Sequence, residues 1–299
     1  MLSRKEQAIK PTDQDIALVA LREYAGVGPR TFQLLMTHFE KVEKIFESLP
    51  GEIAELPRMS AEREEQIRAS MENAPFIRKR QSKLHERGIE LTTVFHLDYP
   101  ETLLAIAAPP PLFYWKGDFD ALRGNCVAIV GSHAASSAGI AEAVRLGKMI
   151  SATGAIVVSG LARGIDSGAH LGSLKGGGKT IAVLGCGFDD IYPPENMALA
   201  DNIAKQGLLL SEYPPDTEVS VGRLMARNRL IVGLARSVIV VETTADSGGT
   251  ADAITETLRQ GKTLFTCFNP NRKGAATNNV GAVQLANEDD WKMVLQYMV

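Results

Sequence analysis

The chain has 299 residues, 45% hydrophobic and 22% charged, an ordinary globular composition that can bury a sizeable core without disulfide or metal staples. Lys and Arg total 32 and Asp and Glu 35, so the net charge is −3; a wholesale basic protein is excluded, and any polyanion must be met by a local patch. The three cysteines, Cys126, Cys186 and Cys267, form neither a disulfide framework nor a metal-ligand spacing, and a reducing compartment is expected.

The first fifteen residues, MLSRKEQAIKPTDQD, contain no apolar core for a signal peptide, and no later run reaches membrane-spanning length. A cytoplasmic protein with no membrane partner is expected. Ile16, Val19, Ala20 and Tyr24 follow helical spacing, Gly26 to Pro29 break it, and Phe32, Leu34, Leu35 and Phe39 resume it. Pro29 suits the first turn of a helix, where a missing N–H costs little. Residues 60–87 are charge-rich and again helical, then Pro109 to Pro111 forbid helix and Leu112 to Trp115 read as a short strand. A small helical domain over 1–73 and a larger one over 74–299 are expected.

From Asn125 the pattern alternates. Apolar, mostly β-branched runs at 127–130, 155–159, 180–184, 207–211, 237–242 and 262–266 are separated by amphipathic helical stretches. Continuous rather than alternating hydrophobicity means that both faces are covered. The fold class is therefore α/β, a doubly wound and mainly parallel sheet. Ligands in such sheets bind beyond the carboxyl ends of the strands, where the glycines cluster here.

The first of these ends, CVAIVGSHAASSAG (126–139), has Gly131 but no glycine at 133, and the second strand ends in Ser159-Gly160 rather than in an acidic residue. A dinucleotide site needs both features, so NAD and FAD are not expected and no cofactor is assigned. Ser132, Ser136 and Ser137 can instead offer hydroxyls to an anion at the positive end of the following helix, although a simple helix cap uses the same residues. The second strand leads into SGLARGIDSGAH, where Gly160, Ala162 and Gly164 shape a tight loop and Arg163 supplies a cation. Asp166 reads as the N-cap of the next helix and His170 as a packed or supporting group. Tyr192 follows the third strand and is available for stacking. In MARNRLIVGLA, Arg227 and Arg229 flank Asn228 and diverge by about two hundred degrees on a helix, so one can pin the fold through Glu212 or Glu242 while the other faces the anion. Ser247, Gly248, Gly249 and Thr250 open a further helix and make a second anion nest. Several phosphate-suited turns on one edge fit a polyphosphate chain or a nucleic-acid strand better than one mononucleotide.

YPETLLAIAAPPPLFYWKG, VAIVGSH, VVSGLARGIDSGAH, TIAVLGCGFDDIYPPEN, GLLLSEYPP and ARNRLIVGLARSVIVVE together resemble the DNA-processing protein A family (DprA, also called Smf), in family order from about Tyr99 to Glu242. The resemblance implies an extended Rossmann-like domain preceded by a helical domain similar to a sterile-alpha-motif domain. It implies that the protein binds single-stranded DNA, loads a RecA-type recombinase during natural transformation, and dimerises through the Rossmann domain. Carried over by position, the DNA pocket involves Gly131, Ser132, Arg163 and the Arg227–Arg229 region. This chain departs from the family pattern at His133, where Arg is common, and at Asp252, where Thr is expected; both lower the local positive potential. The winged-helix domain that many members append is not expected in this sequence, which ends at Val299.

Residues 21–35, LREYAGVGPRTFQLL, resemble a helix-hairpin-helix turn that can meet a DNA phosphate, and plain helix packing explains them equally. The leading reading is a binding protein that breaks no bond. The alternative is a nucleotide sensor or a phosphoribohydrolase-like enzyme, whose Gly-Gly-x-Gly-Thr-x-x-Glu turn is only approximated here. Three residues after Thr250 stands Ala253, with Glu256 one helical turn further.

Overall fold

The computed structural model describes residues 11–243, 248–267, 281–285 and 289–291. The chain forms two compact units, Met1–Tyr99 with Ala108–Tyr114, and Pro100–Ala107 with Trp115–Val299.

The first unit opens with α1 (Asp13–Val19), which starts at Thr12 because Thr12 and Asp15 cap each other reciprocally: the Thr12 hydroxyl accepts from the Asp15 amide and the Asp15 carboxylate from the Thr12 amide. A single π-helical turn at Ala20–Tyr24 follows, then α2 (Pro29–Phe39), with Pro29 in its first turn. The helices α3 (Val42–Glu47), α4 (Ala61–Ser70) and α5 (Ala74–Glu86) lead to strand β1 (Glu90–Thr93). Ile16, Leu35, Ile45, Ile67 and Ile77 are fully buried, one or more from each helix, and this apolar set is the unit's core. The unit extends beyond residue 73, since α5 packs on α1 and on β1. The Asp15 carboxylate also accepts from the Thr93 hydroxyl and pairs with His96, tying the start of α1 to the chain after β1.

Strand β2 (Leu112–Gly117) carries the chain into the second unit, to which α6 (Glu101–Leu104) also belongs. There the strands β3 (Cys126–Val130), β4 (Ile156–Ser159), β5 (Thr180–Leu184), β6 (Leu208–Ser211), β7 (Ser237–Val240), β8 (Thr263–Cys267) and β9 (Val283–Leu285) pair in the order β6-β5-β4-β3-β7-β8-β9, all parallel. Every residue of β3 to β7 is buried, which is why their sequences are unbroken apolar runs. All six runs read from the sequence are strands, to within a residue or two at their ends. The three-residue β9 is the addition; VQL is too short to announce itself.

The crossovers are α7 (Ser137–Ala152), α8 (Ile165–Lys175), α9 (Met197–Gln206), the pair α10 (Val221–Ala226) and α11 (Asn228–Leu234), and α12 (Gly248–Arg259). One core gathers Val127, Ile129, Leu146, Ile150, Val157 and Ile239; another gathers Ala182, Leu184, Ile203 and Leu209. Strand order runs outward from β3 in both directions, so the loops leaving β3 and β7 diverge and open a crevice at the carboxyl edge.

The C-terminal end of α11 is closed by a side chain from outside the helix. Lys262 Nζ donates to the carbonyls of Val232 (2.7 Å) and Gly233 (2.8 Å) and to that of Ala235, meeting acceptors that a helix end leaves open. Replacing Lys262 by Met keeps the aliphatic stem and removes the donors. It is expected to lower unfolding stability by about 1–2 kcal/mol, read as a reduced urea midpoint at unchanged slope. An unchanged midpoint would show that water caps the helix as well as the ammonium does.

Candidate functional site

At the carboxyl edge of the sheet lies a cavity of about 310 Å³. Four chain segments line it: the turn after β3 (Gly131, His133), the loop after β4 (Gly160 to Asp166), the Tyr192-Pro193 turn, and α10 to α12. Its walls are partly apolar, from Val130, Leu224, Met225, Ile231 and Ala253, and partly polar, from His133, Arg163, Asp166, Arg227 and Asn228.

The turn after β3 already holds an anion, and that anion belongs to the protein. Ser136 is the N-cap of α7, accepting from the Gly139 amide (3.1 Å). Its own amide and hydroxyl donate to the two carboxylate oxygens of Glu242, at 3.0 and 2.7 Å. Glu242, almost fully buried just beyond β7, therefore sits where an external phosphate would meet the start of α7. Ser132 is likewise buried and turned inward, its hydroxyl accepting from the Ala134 amide at 3.1 Å. His133 is exposed and faces the cavity.

The loop after β4 depends on a buried guanidinium. Arg227 stands between α10 and α11 with its Nη1 on the carbonyl of Gly160 (2.6 Å) and on that of Val183, and its Nε on Asn228 Oδ1 (3.2 Å). It thereby ties the ends of β4 and β5 together. Gly160 is required here, because a Cβ would overlap the guanidinium. Gly164 has φ +71° and presses against the Ser132 carbonyl, so a side chain is excluded twice over. Asp166 is not the N-cap of α8, whose cap position is Gly164; it is the second helical residue and reaches back to accept from the amides of Gly160 (3.1 Å) and Ala162 (3.4 Å). Burial pushes the Asp166 carboxyl up, against the downward pull of Arg227, with 4.0 Å between them, and of the two amides.

The two arginines of Arg-Asn-Arg do diverge. Arg229 leaves α11 towards the end of β6 and pairs with buried Glu212 at 2.6 Å. Asn228 donates to the Gly249 carbonyl (3.1 Å) and to Asp252 (2.9 Å), fastening the start of α12. Gly248 and Gly249 are exposed there, with Gly249 and Thr250 at the cavity, whereas Ser247 lies outside the described residues. Of the three arginines, Arg163 is the one in the open, its side chain 47% exposed. It lies over the Tyr192 ring at 5.7 Å and grips Glu195 with Nε and Nη2. Glu256 bonds to Arg259 and Gln260 and is not part of the cavity lining.

Sequence reasoning brought the glycine turns, Arg163 and Tyr192 to one place, and they do meet there. It missed Glu195, which is 32 positions from its partner, and the α10 wall of Val221, Leu224 and Met225, whose only signal is the Ser220 N-cap. Among the described residues no three His, Cys, Asp or Glu side chains group to hold a metal ion.

A doubly wound parallel sheet with a glycine-bounded crevice at its switch point defines the Rossmann-like class of α/β proteins. The chain belongs to the DNA recombination-mediator protein A family, whose model matches residues 90–296. It is 36% identical to protein Smf of Synechocystis sp. over 237 residues, covering 77% of this chain and 58% of that protein. It is 40% identical to the DNA processing protein DprA of Bacillus subtilis over 181 residues, 60% of this chain and 61% of that one. The chain thus spans about three-fifths of the length of these two relatives. The crystal structure of DNA processing protein A from Streptococcus pneumoniae superposes with a TM-score of 0.77 at 28% identity, over 95% of this chain and 98% of that one. The single-stranded-DNA-binding DNA processing protein A of Helicobacter pylori gives 0.63 at 28% identity, over 69% and 96%.

His170 shows how firmly this edge is fixed. It is fully buried on α8; Thr180 Oγ1 donates to the Val157 carbonyl, so His170 Nδ1 donates to Thr180 Oγ1 at 2.7 Å. Burial, helped by the charge on Arg227, holds its pKa down at about 3. A histidine depressed from 6.5 to about 3 adds stability that is complete above pH 6.5 and is lost as pH falls through that window. Between pH 7 and pH 4.5 the wild type should lose about 2 kcal/mol more unfolding stability than His170→Leu, measured by urea titration at both pH values. Equal losses would mean that the imidazole is protonated where it lies.

Proposed function

We propose that this chain binds single-stranded DNA along the carboxyl edge of its sheet, gripping phosphates rather than reading bases, and acts as a mediator that loads a RecA-type recombinase. The observation that carries the reading is exposed Arg163 on the cavity lining, with the Tyr192 ring beneath it and exposed Gly249, at the start of α12, on the same lining. A guanidinium fork suits phosphate oxygens, an aromatic face accepts any base, and an apolar wall gives a stacked base somewhere to rest. DNA binding by the Helicobacter pylori relative supports the same assignment.

Bond-breaking is not part of the proposal. Asp166, the carboxylate that lines the cavity, accepts from loop amides, and the buried His170 donates to Thr180, so both serve the fold. Arg227 and Arg229 act as internal posts, and Arg163 and the exposed glycine amides meet the DNA. We further infer a homodimer formed through the sheet-bearing unit, as the family resemblance implies.

Fluorescence anisotropy with labelled oligo-dT tests this reading. Log affinity should fall against log salt with a slope of about −3 for about four neutralised phosphates. Arg163→Ala should weaken binding about 3- to 10-fold for oligo-dT and for mixed sequence alike and flatten the slope by about 0.7. A salt-independent affinity, or an Arg163→Ala loss confined to one sequence, would overturn the assignment.

A further inference from the structure

The exposed cation at the rim is not waiting empty-handed. Arg163 directs Nε to Glu195 Oε1 and Nη2 to Glu195 Oε2, the second at 3.1 Å, a two-pronged arrangement of the kind a phosphate would accept. Both side chains are about half exposed, at 47% and 52%, so the pair can open without unburying either group. By contrast, three other acids at this edge, Glu212, Glu242 and Asp166, are buried and fixed by partners.

The placement of Glu195 is built rather than incidental. It lies in the short 3-10 turn Pro194–Asn196 that precedes α9. The next residue, Asn196, donates its side-chain amide to the Leu161 carbonyl and to the Ser167 hydroxyl oxygen, each at 2.8 Å. Leu161 precedes Arg163 on its loop, and Ser167 follows it in the first turn of α8. Asn196 thus clamps the Glu195 turn onto the Arg163 loop and keeps the carboxylate within reach of the fork.

Resting on the DNA-binding reading above, we propose that Glu195 is a built-in competitor for phosphate: its carboxylate occupies the Arg163 fork in the free protein and must be displaced when a DNA phosphate arrives. The carboxylate lowers affinity for a single phosphate, so small anions are turned away. A DNA strand, contacting several groups at once, displaces it. Glu195 thereby sets how strongly the rim discriminates a polymer from free phosphate.

The test is a four-protein cycle: wild type, Glu195→Gln, Arg163→Ala and the double variant, each titrated with labelled oligo-dT at one low salt concentration. Glu195→Gln should bind about 3- to 10-fold tighter than wild type, and the gain should shrink to less than about 2-fold in the Arg163→Ala background. If wild type binds and Glu195→Gln binds no tighter, the competitor role is wrong while the DNA-binding reading stands. A gain of the same size in both backgrounds would also refute it, because Glu195 would then act as a general negative charge and not through the fork. If no protein of the four binds oligo-dT, the DNA-binding reading itself fails and takes this inference with it.

Discussion

The guanidinium of Arg227 is the constraint on which the site rests. Sited between α10 and α11, it reaches across the sheet edge to the carbonyl of Gly160, just past β4, and to that of Val183, the penultimate residue of β5. Carbonyls buried where parallel strands run out need a donor, and leaving them unpaired is costly. One planar, always-charged donor satisfies two of them and leaves room for the glycine that permits its approach. Asp166 completes the arrangement by taking the Gly160 and Ala162 amides, so that both polar groups of the Gly160 peptide region are accounted for. The shape of the cavity follows from this arrangement.

A second regularity is that carboxylates of the chain stand at the places suited to an external anion. Glu242 fills the start of α7, Glu212 takes Arg229, and Glu195 takes Arg163. Each of these cations or helix starts is thus compensated within the chain. Burial divides the pairs by role. Breaking the Glu212 or Glu242 contacts would leave a charge or a helix end stranded in the interior, whereas the Arg163 pair is solvent-screened and weakly held. In the proposed function, exchange with a ligand is therefore assigned to Arg163.

The sheet was legible because its strands are buried on both faces and read as unbroken apolar runs, and the location of the site was legible because glycines mark the strand ends. Pairings were not. The sequence suggested Glu212 or Glu242 as an arginine's partner; Glu212 is one, but Glu242 serves the start of α7 through Ser136. Asp166 has the spacing of a helix cap, yet its carboxylate is drawn to loop amides that only the tertiary fold brings near. Nothing local relates Arg163 to Glu195, since contact between them arises from the turn preceding α9. Residue type and period report burial well; which acid meets which base is decided by loops whose paths no short pattern encodes.

The most direct test is a crystal structure of this chain with a bound oligo-dT strand. It should show the Arg163 fork on a backbone phosphate with Glu195 turned away, and Arg227 still on the carbonyls of Gly160 and Val183. A strand seated elsewhere, or Arg227 released from those carbonyls to hold a phosphate, would contradict the division between structural and ligand-binding cations described above.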